Sequence, residues 1–272
     1  AVPDKSEEHR IVELRELVTG RVVHTLDGPP SKIDEVVFSP DGRRLAGIEK
    51  EYAKPVSGFK VWDVETGRLL AAGPETRDFE EFSPNGTWML LYDRESFAVR
   101  ESTSGREVCI FPGRGPNAVA WSVNRGWLMV SNFPEAESVK VYDLATCRTL
   151  RTFTAHTGYI NTLAISPDER WLASASSDGS TRIWDVATGR EMASLVFLRE
   201  PNSWLVTTPD GLFDGSPDSW AKILWRFGGN TFDVAPAEAF FNEFYYPGLL
   251  AEILAGKNPK APRDIAQVDR RQ

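Results

Sequence analysis

The sequence contains little histidine, little cysteine and no long apolar run. Its 272 residues include 3 His and 2 Cys. So few cysteines exclude a disulfide scaffold and a Cys₄ zinc site, and Cys109 and Cys147 are expected to be free thiols. The histidines have no metal-ligating spacing, so no metal or other cofactor is predicted. No apolar run approaches the roughly 18 residues of a transmembrane helix, and no membrane association is expected.

Positive charge is also in deficit, with 31 Lys and Arg against 39 Asp and Glu and a formal net charge of −8. This balance argues against nucleic acid and anionic membranes as partners and leaves proteins as the expected ones. No signal peptide is visible, which predicts a cytoplasmic location unless such a peptide has been removed. The proline-containing, charged stretch after Gly256 suggests that the chain is part of a longer polypeptide.

Two sequence motifs recur in phase along the chain. The first occurs at Leu14–Arg21, Val61–Arg68, Val99–Arg106, Val141–Arg148 and Ile183–Arg190. Its glycine position, which Cys147 occupies in the fourth copy, recurs at spacings of 47, 38, 42 and 42 residues. The second motif occurs at Phe38–Gly42, Phe82–Gly86, Trp121–Arg125 and Ile165–Glu169. A period near 40 residues indicates a structural repeat.

Each repeat is predicted to form four strands. In the clearest copy these are residues 158–166, 171–176, 181–186 and 190–196, and the Asp-Gly pair at Asp178 marks a tight hairpin between the second and third. Four strands at this period are typical of a β-propeller blade. Because one blade cannot bury both faces alone, neighbouring blades must stack.

These motifs resemble WD40 repeats, with the signature dipeptide at Trp62-Asp63 and Trp184-Asp185. The predicted fold is all-β: a WD40-like β-propeller of five or six blades, or part of a larger ring, with a short helical C-terminal extension. The resemblance implies a buried hydrogen-bond network that stabilises the blade at residues 155–190, which resembles the family most closely. Its members would be His156, Asp178, Trp184 and either Ser174 or Ser176.

The propeller is predicted to span residues 8–235, and residues 197–235 supply a last blade or a closing hairpin. In one alternative the hairpin at 203–213 pairs with residues 8–26 and closes a five-bladed ring. In the other, residues 223–227 and 231–234 complete a sixth blade.

The C-terminal part is predicted to contain two helices, Ala237–Tyr246 and Leu249–Ala255, within an extension at 236–256, followed by a linker or tail at 257–272. Thr208–Pro217 and Phe244–Leu250 resemble the junction in bacterial WD40 proteins that continue into a caspase-like (peptidase C14) domain. That resemblance implies a protease domain after Gln272. It implies no activity for this chain, because neither cysteine lies in a caspase-like context.

The predicted function is a non-catalytic protein–protein interaction scaffold. The alternatives are the sensor or regulatory portion of a bacterial caspase-like peptidase and, third, a propeller hydrolase built on paired carboxylates. Partner binding is assigned to turns that enter the first strand of each repeat, with four residues named: Lys32, Arg77, Arg114 and Tyr159. Arginine and tyrosine are typical of interaction hot spots. Asp210, Asp214 and Asp218 do not fit a calcium loop and are expected to be solvated turn residues.

Overall fold

The computed structural model describes residues 12–26, 33–49, 57–75, 78–132, 134–198, 203–220, 224–226, 234–236 and 241–262. Antiparallel strands dominate these residues, and several sheets contain four strands, as in the blades of a WD40 propeller. The predicted all-β, WD40-like class is therefore confirmed. The chain forms two compact units, residues 1–116, 121–134 and 141–150 in the first and 117–120, 135–140 and 151–272 in the second.

The first unit contains one two-stranded sheet and two four-stranded sheets. The two-stranded sheet pairs β1 (Val12–Arg15) with β2 (Val22–Leu26). The next sheet has the order β3 (Ile33–Phe38), β4 (Arg44–Glu49), β5 (Ser57–Asp63) and β6 (Leu69–Glu75). The following sheet contains β7 (Asp78–Phe82), β8 (Trp88–Tyr92), β9 (Ser96–Glu101) and β10 (Glu107–Pro112). Strand order thus follows chain order, as the repeat predicts.

The next four-stranded sheet contributes residues to both units. It contains β11 (Pro116–Ser122), β12 (Trp127–Asn132), β13 (Ser138–Asp143) and β14 (Arg148–Thr154).

The second unit contains a six-stranded sheet. Its strands are β15 (Ile160–Ile165), β16 (Trp171–Ser176), β17 (Ser180–Asp185), β18 (Glu191–Phe197), β19 (Trp204–Thr207) and β20 (Phe213–Gly215). The alternative in which the hairpin at 203–213 pairs with residues 8–26 is wrong, because β19 pairs with β18 and β20 and so extends the sheet of the clearest repeat. Without the hairpin, β18 would be an edge strand with unpaired backbone N–H and C=O groups. Pairing with β19 supplies their hydrogen-bond partners.

After β20, the described part of the second unit contains short helices and strands. The helix α1 (Pro217–Trp220) follows β20, and β21 (Leu224–Arg226) pairs with β22 (Val234–Pro236) as a separate two-stranded sheet. The helices α2 (Phe241–Phe244) and α3 (Leu249–Leu254) follow. The predicted second helix is confirmed, and Gly256 after it adopts φ +89°. Residues 237–240 of the predicted first helix lie outside the described residues. The blade count and the domain boundaries stay predictions.

Packing between neighbouring sheets of the first unit buries apolar side chains of their strands. In the first unit Phe59, Val61, Phe79, Phe82 and Met89 belong to one buried cluster. The half-sheet β1–β2 contributes Leu26 to a second cluster with Leu45 and Trp62. No helix within the described part of the chain is long and apolar enough to cross a membrane.

The two cysteines form a disulfide, so the prediction of free thiols is wrong. The Sγ atoms of Cys109 and Cys147 are 2.03 Å apart and the Cα atoms 5.5 Å apart. Cys109 lies in β10 and Cys147 in the turn after β13, 38 residues further along the chain. Their spacing nearly matches the repeat period, which is why the fold brings them together.

The helix α3 is held on the six-stranded sheet through its C-terminal carbonyls. Trp171 Nε1 donates to the Leu254 carbonyl at 3.2 Å, and Arg170 Nη2 donates to the Gly256 carbonyl at 3.1 Å. These carbonyls have no partner inside the helix, so a cation and an indole N–H are suitable donors for them. Leu249 and Ile253, one helical turn apart, are both buried against the sheet.

One predicted solvated carboxylate is in fact a buried anchor of this extension. Asp214 is only 7% exposed, and its Oδ2 accepts the Gly248 N–H at 2.7 Å. Asp210 Oδ2 accepts the Ala261 N–H at 3.1 Å, so residues beyond α3 contact the same hairpin. The prediction that all three aspartates are solvated is therefore wrong for Asp214.

Candidate interaction surface and its supporting network

The structure brings four of the five predicted network residues together inside the six-stranded sheet. His156 Nδ1 lies 2.8 Å from Asp178 Oδ2, and His156 Nε2 lies 2.8 Å from Ser174 Oγ. Trp184 Nε1 donates to the same Ser174 Oγ at 2.8 Å. Ser174, not Ser176, is therefore the serine of this chain of contacts. Ser176 Oγ instead donates to the Gly158 carbonyl at 2.9 Å.

The donors and acceptors of the network fix the direction of its hydrogen bonds. An indole N–H can only donate and an ionised carboxylate can only accept. With a neutral histidine, Trp184 donates to Ser174, the Ser174 hydroxyl donates to His156 Nε2, and His156 Nδ1–H donates to Asp178. Each buried polar atom in this line then has a partner, which is the condition for a buried network to stabilise a fold.

The network resembles a Ser-His-Asp triad in order but not in access. Ser174 is completely buried and so is the His156 side chain. A nucleophilic serine must reach the substrate, and its oxygen needs to be free of competing donors. Ser174 fails the first condition because it is buried, and its Oγ fails the second because Trp184 Nε1–H donates to it. The geometry supports a locking role.

Asp178 also fixes the hairpin turn after β16. Its Oδ1 accepts the Ser180 N–H at 2.8 Å and the Ser180 hydroxyl at 2.7 Å, and its Oδ2 accepts the Thr157 N–H at 3.1 Å. Partial burial by itself raises the pKa of Asp178, but the hydrogen bonds from Ser180, His156 and Thr157 outweigh it and hold the pKa well below its ordinary value of 3.8.

This shift predicts how stability depends on acid pH. A depressed folded-state pKa contributes stability that is complete above the unfolded-state pKa of 3.8 and is lost as the pH falls below it. We expect the melting temperature of the wild type to fall more steeply between pH 4 and pH 2 than that of Asp178→Asn, measured by circular dichroism. Parallel curves for the two proteins would show that the carboxylate carries no such linkage.

The loop from His156 to Tyr159 is held rigidly by the turn after β16. The Tyr159 carbonyl accepts the Ser177 N–H at 2.9 Å, and Ser176 holds the Gly158 carbonyl. A Cβ added at Gly158 would lie 2.9 Å from the Asp178 backbone nitrogen, so the two segments are in close contact. Tyr159 as a residue is nevertheless 51% exposed. The network therefore supports a loop that presents an aromatic ring to solvent.

Arg114, the second predicted partner-binding residue, lies in the first unit beside an open polar pocket of about 860 Å³. The lining is Asp78, Tyr92, Asp93, Arg94, Glu95, Arg114, Gly115 and Pro116. The Arg114 turn is fixed on both sides, since Gly113 N–H donates to the Glu95 carbonyl at 2.8 Å and Gly115 N–H donates to the Asp93 carbonyl at 3.2 Å. Arg114 is exposed on this turn.

Lys32 and Arg77, the other two predicted partner-binding residues, lie outside the described residues. The sequence analysis did not identify Ser180 and Thr157 as hydrogen-bond donors to Asp178. The available signal was the Asp-Gly-Ser turn, because an aspartate two residues before a serine commonly accepts its backbone N–H.

Glu80 and Glu81 are adjacent carboxylates on β7, at a register shift in its pairing with β8. Burial raises the pKa of the Glu80 carboxyl, and the nearby Glu81 and Glu35 carboxylates raise it further. Glu81 accepts the Trp121 Nε1–H at 2.5 Å, and burial raises the pKa of its carboxyl despite that bond. Glu81 is thus engaged by an indole of the fold, whereas glycoside hydrolysis needs two carboxylates that flank the scissile bond of a substrate. Among the described residues no group of His, Cys, Asp and Glu has metal-binding geometry.

Comparison with known families identifies a WD40 repeat in this part of the chain. The model described as "WD domain, G-beta repeat" matches residues 147–185, which include the His156 network as far as Trp184 and Asp185. The family model thus matches one copy of the repeat, the one that contains the His156 network.

The curated relatives include WD-repeat and ribosome-biogenesis proteins of eukaryotes. The chain is 32% identical over 261 residues to ribosome biogenesis protein ERB1 of Candida albicans, covering 82% of the chain and 28% of that protein. It is 48% identical over 89 residues to human WD repeat-containing protein 36, covering 32% of the chain and 10% of that protein. It is 44% identical over 57 residues to MST50-interacting protein 11 of Pyricularia oryzae, covering 21% of the chain and 18% of that protein.

The chain therefore spans little more than a quarter of these relatives at most. These three relatives are fungal and human, and they give no support to the expected bacterial, caspase-associated junction. Two residues of the motif that suggested this junction, Asp210 and Asp214, accept backbone N–H groups of the C-terminal extension in the structure.

Proposed function

We propose that this chain is a non-catalytic protein–protein interaction scaffold that uses the His156–Tyr159 loop as a binding surface. The observation that carries the proposal is the half-exposed Tyr159 ring on a loop whose backbone is tied to Ser176, Ser177 and Asp178. A rigid aromatic side chain loses little conformational entropy on binding, which is why tyrosine is enriched at hot spots.

The Arg114 turn is the second proposed contact, within the first unit. Its pocket offers charged groups of both signs beside the Tyr92 ring, and its backbone is fixed by Asp93 and Glu95. Such a site favours a polar protein segment over an apolar ligand. Lys32 and Arg77 stay predicted contacts from the sequence.

The relatives support the class of function and not a particular partner. Their names refer to ribosome biogenesis and to interaction with another protein. Because this chain covers only 18–28% of those two proteins, no partner is carried over from them. The negative charge of −8 still favours protein partners over nucleic acid. A cytoplasmic location is proposed on the sequence alone.

Affinity capture with the purified chain tests the proposal. We expect Tyr159→Ala and Arg114→Ala each to reduce the amount of specifically bound protein at least tenfold, because loss of a hot-spot side chain costs about 2 kcal/mol or more. Bound proteins are quantified by mass spectrometry against a bead control. Unchanged capture by both variants would remove these turns as the binding surface.

A further inference from the structure

The disulfide replaces a contact that recurs between successive repeats. Four residues after the repeat glycine, the strand carries His24, Ala71, Cys109, Arg151 and Ala193 in the five copies. In three other pairs of neighbouring copies the glycine of one copy lies against that residue of the preceding copy. A Cβ added at Gly67 would lie 2.8 Å from the His24 ring, one at Gly105 3.4 Å from Ala71 Cβ, and one at Gly189 3.4 Å from Arg151 Cδ.

Cys147 and Cys109 occupy the same pair of positions. The Cys147 N–H donates to the Asp143 carbonyl at 2.8 Å, as the Gly189 N–H does to the Asp185 carbonyl at 2.8 Å. The turn geometry is thus that of the other copies. A packing contact has been exchanged for a covalent bond at one of the four junctions, and Cys147 has a left-handed backbone, φ +57°, that favours glycine.

The two cysteines differ in exposure to solvent. Cys109 is 3% exposed within β10, whereas Cys147 is exposed on its turn. A reductant in solution therefore reaches the bridge from the Cys147 side. Attack of an external thiolate on a disulfide requires such access.

The surroundings also suit the reduced state. Cys109 Sγ lies 3.4 Å from the Leu144 carbonyl oxygen, and Cys147 Sγ lies 3.3 Å from the Val108 carbonyl oxygen. In the bridged form these are contacts only, because neither sulfur carries a proton. Once reduced, each thiol has an acceptor at hand, so opening the bridge leaves no buried S–H without a partner.

We propose that the Cys109–Cys147 bridge is a reversible redox clasp between two successive repeats. This goes beyond the proposed scaffold function and does not depend on it. The co-reactant is a dithiol. Its thiolate attacks Cys147 Sγ, the bond between the cysteines breaks, and Cys109 leaves as a thiolate that takes up a proton. The second thiol of the reductant displaces Cys147, which is also protonated, and the reductant becomes a disulfide after giving up two electrons.

Opening the clasp releases the turn around Cys147. The left-handed conformation there is then held by packing and by the hydrogen bonds that Asp143 accepts from Cys147, Ala145 and Thr146, without the covalent bond, so it relaxes more often. The equivalent turn at Gly189 provides an internal control, because glycine adopts this conformation without strain and has no bridge.

The test compares the full chain, oxidised in air, with the same protein after dithiothreitol treatment under native conditions. We expect thiol-labelling mass spectrometry to show complete reduction without denaturant. The melting temperature should fall by about 5–10 °C, as expected for loss of a crosslink closing a loop of this size. Removal of the reductant should restore both the bridge and the melting temperature. Hydrogen exchange in the turn 144–148 should rise at least tenfold on reduction, while that in the turn 186–190 stays unchanged.

The double variant Cys109→Ala/Cys147→Gly supplies the matched control, because it restores residues found at these positions in other repeats. Its melting temperature should be the same with and without dithiothreitol. Three results would overturn the proposal: no bridge in the air-oxidised protein, reduction that requires urea, or equal melting temperatures for the oxidised and reduced wild type.

Discussion

Ser174→Ala is expected to lower the free energy of unfolding by about 2–4 kcal/mol, one of the two largest effects that the structure predicts. The substitution removes the acceptor of the Trp184 indole N–H and the donor to His156 Nε2. Both partners stay buried, and each orphaned polar group costs about 1–3 kcal/mol. Urea unfolding followed by tryptophan fluorescence measures the change, provided that the m-value is unaltered.

Ser177→Ala is the matched control for this experiment. Ser177 lies three residues further along the same hairpin and is exposed, with its hydroxyl 3.2 Å from the Tyr159 carbonyl. Loss of the Ser177 hydroxyl is expected to change the free energy of unfolding by about 0.5 kcal/mol or less. Equal destabilisation by the two alanines would show that the network does not lock the repeat.

Asp214→Asn is expected to release helix α3 from the six-stranded sheet, the second large effect. The Asp214 carboxylate accepts N–H groups from Gly215 at 2.9 Å and from Gly248 at 2.7 Å. An amide places an NH₂ group against one of these two donors, so one bond is replaced by repulsion between donors. We expect the substitution to lower the free energy needed to open α3 locally by about 2 kcal/mol. Hydrogen exchange of Leu249–Leu254 should then accelerate about thirtyfold.

The same substitution at Asp218 tests whether the effect is specific. Asp218 lies four residues further along and is exposed in the first turn of α1. Asp218→Asn should leave exchange in α3 at the wild-type rate. If both variants accelerate exchange equally, the buried Asp214 carboxylate is not the anchor of the extension.

The repeat and its strands could be predicted from the sequence because they depend on local patterns. The predicted strands 171–176 and 181–186 correspond to Trp171–Ser176 and Ser180–Asp185. Alternating polarity and an Asp-Gly turn between two strands fix both the elements and their pairing. His156 could be placed beside Trp184 because the family resemblance supplied a long-range pairing that the local pattern does not contain.

The hairpin β19–β20 could not be placed from the sequence for the opposite reason. Its alternating pattern defines two strands but not the edge to which they add, and both β1 and β18 were available as partners. Asp214 was misjudged because its burial depends on a backbone N–H 34 residues away. For the disulfide a signal did exist: Cys147 stands at the repeat glycine, and Cys109 stands four residues after the preceding one.

The most direct test of the scaffold account is the affinity of a captured partner for the wild type, Tyr159→Ala and Leu150→Ala. Leu150 is 43% exposed and Tyr159 is 51% exposed, so the two truncations remove comparable surface side chains. The account predicts that Kd rises about thirtyfold for Tyr159→Ala and less than about threefold for Leu150→Ala. Equal affinities for all three proteins would contradict the claim that the His156–Tyr159 loop is the binding surface.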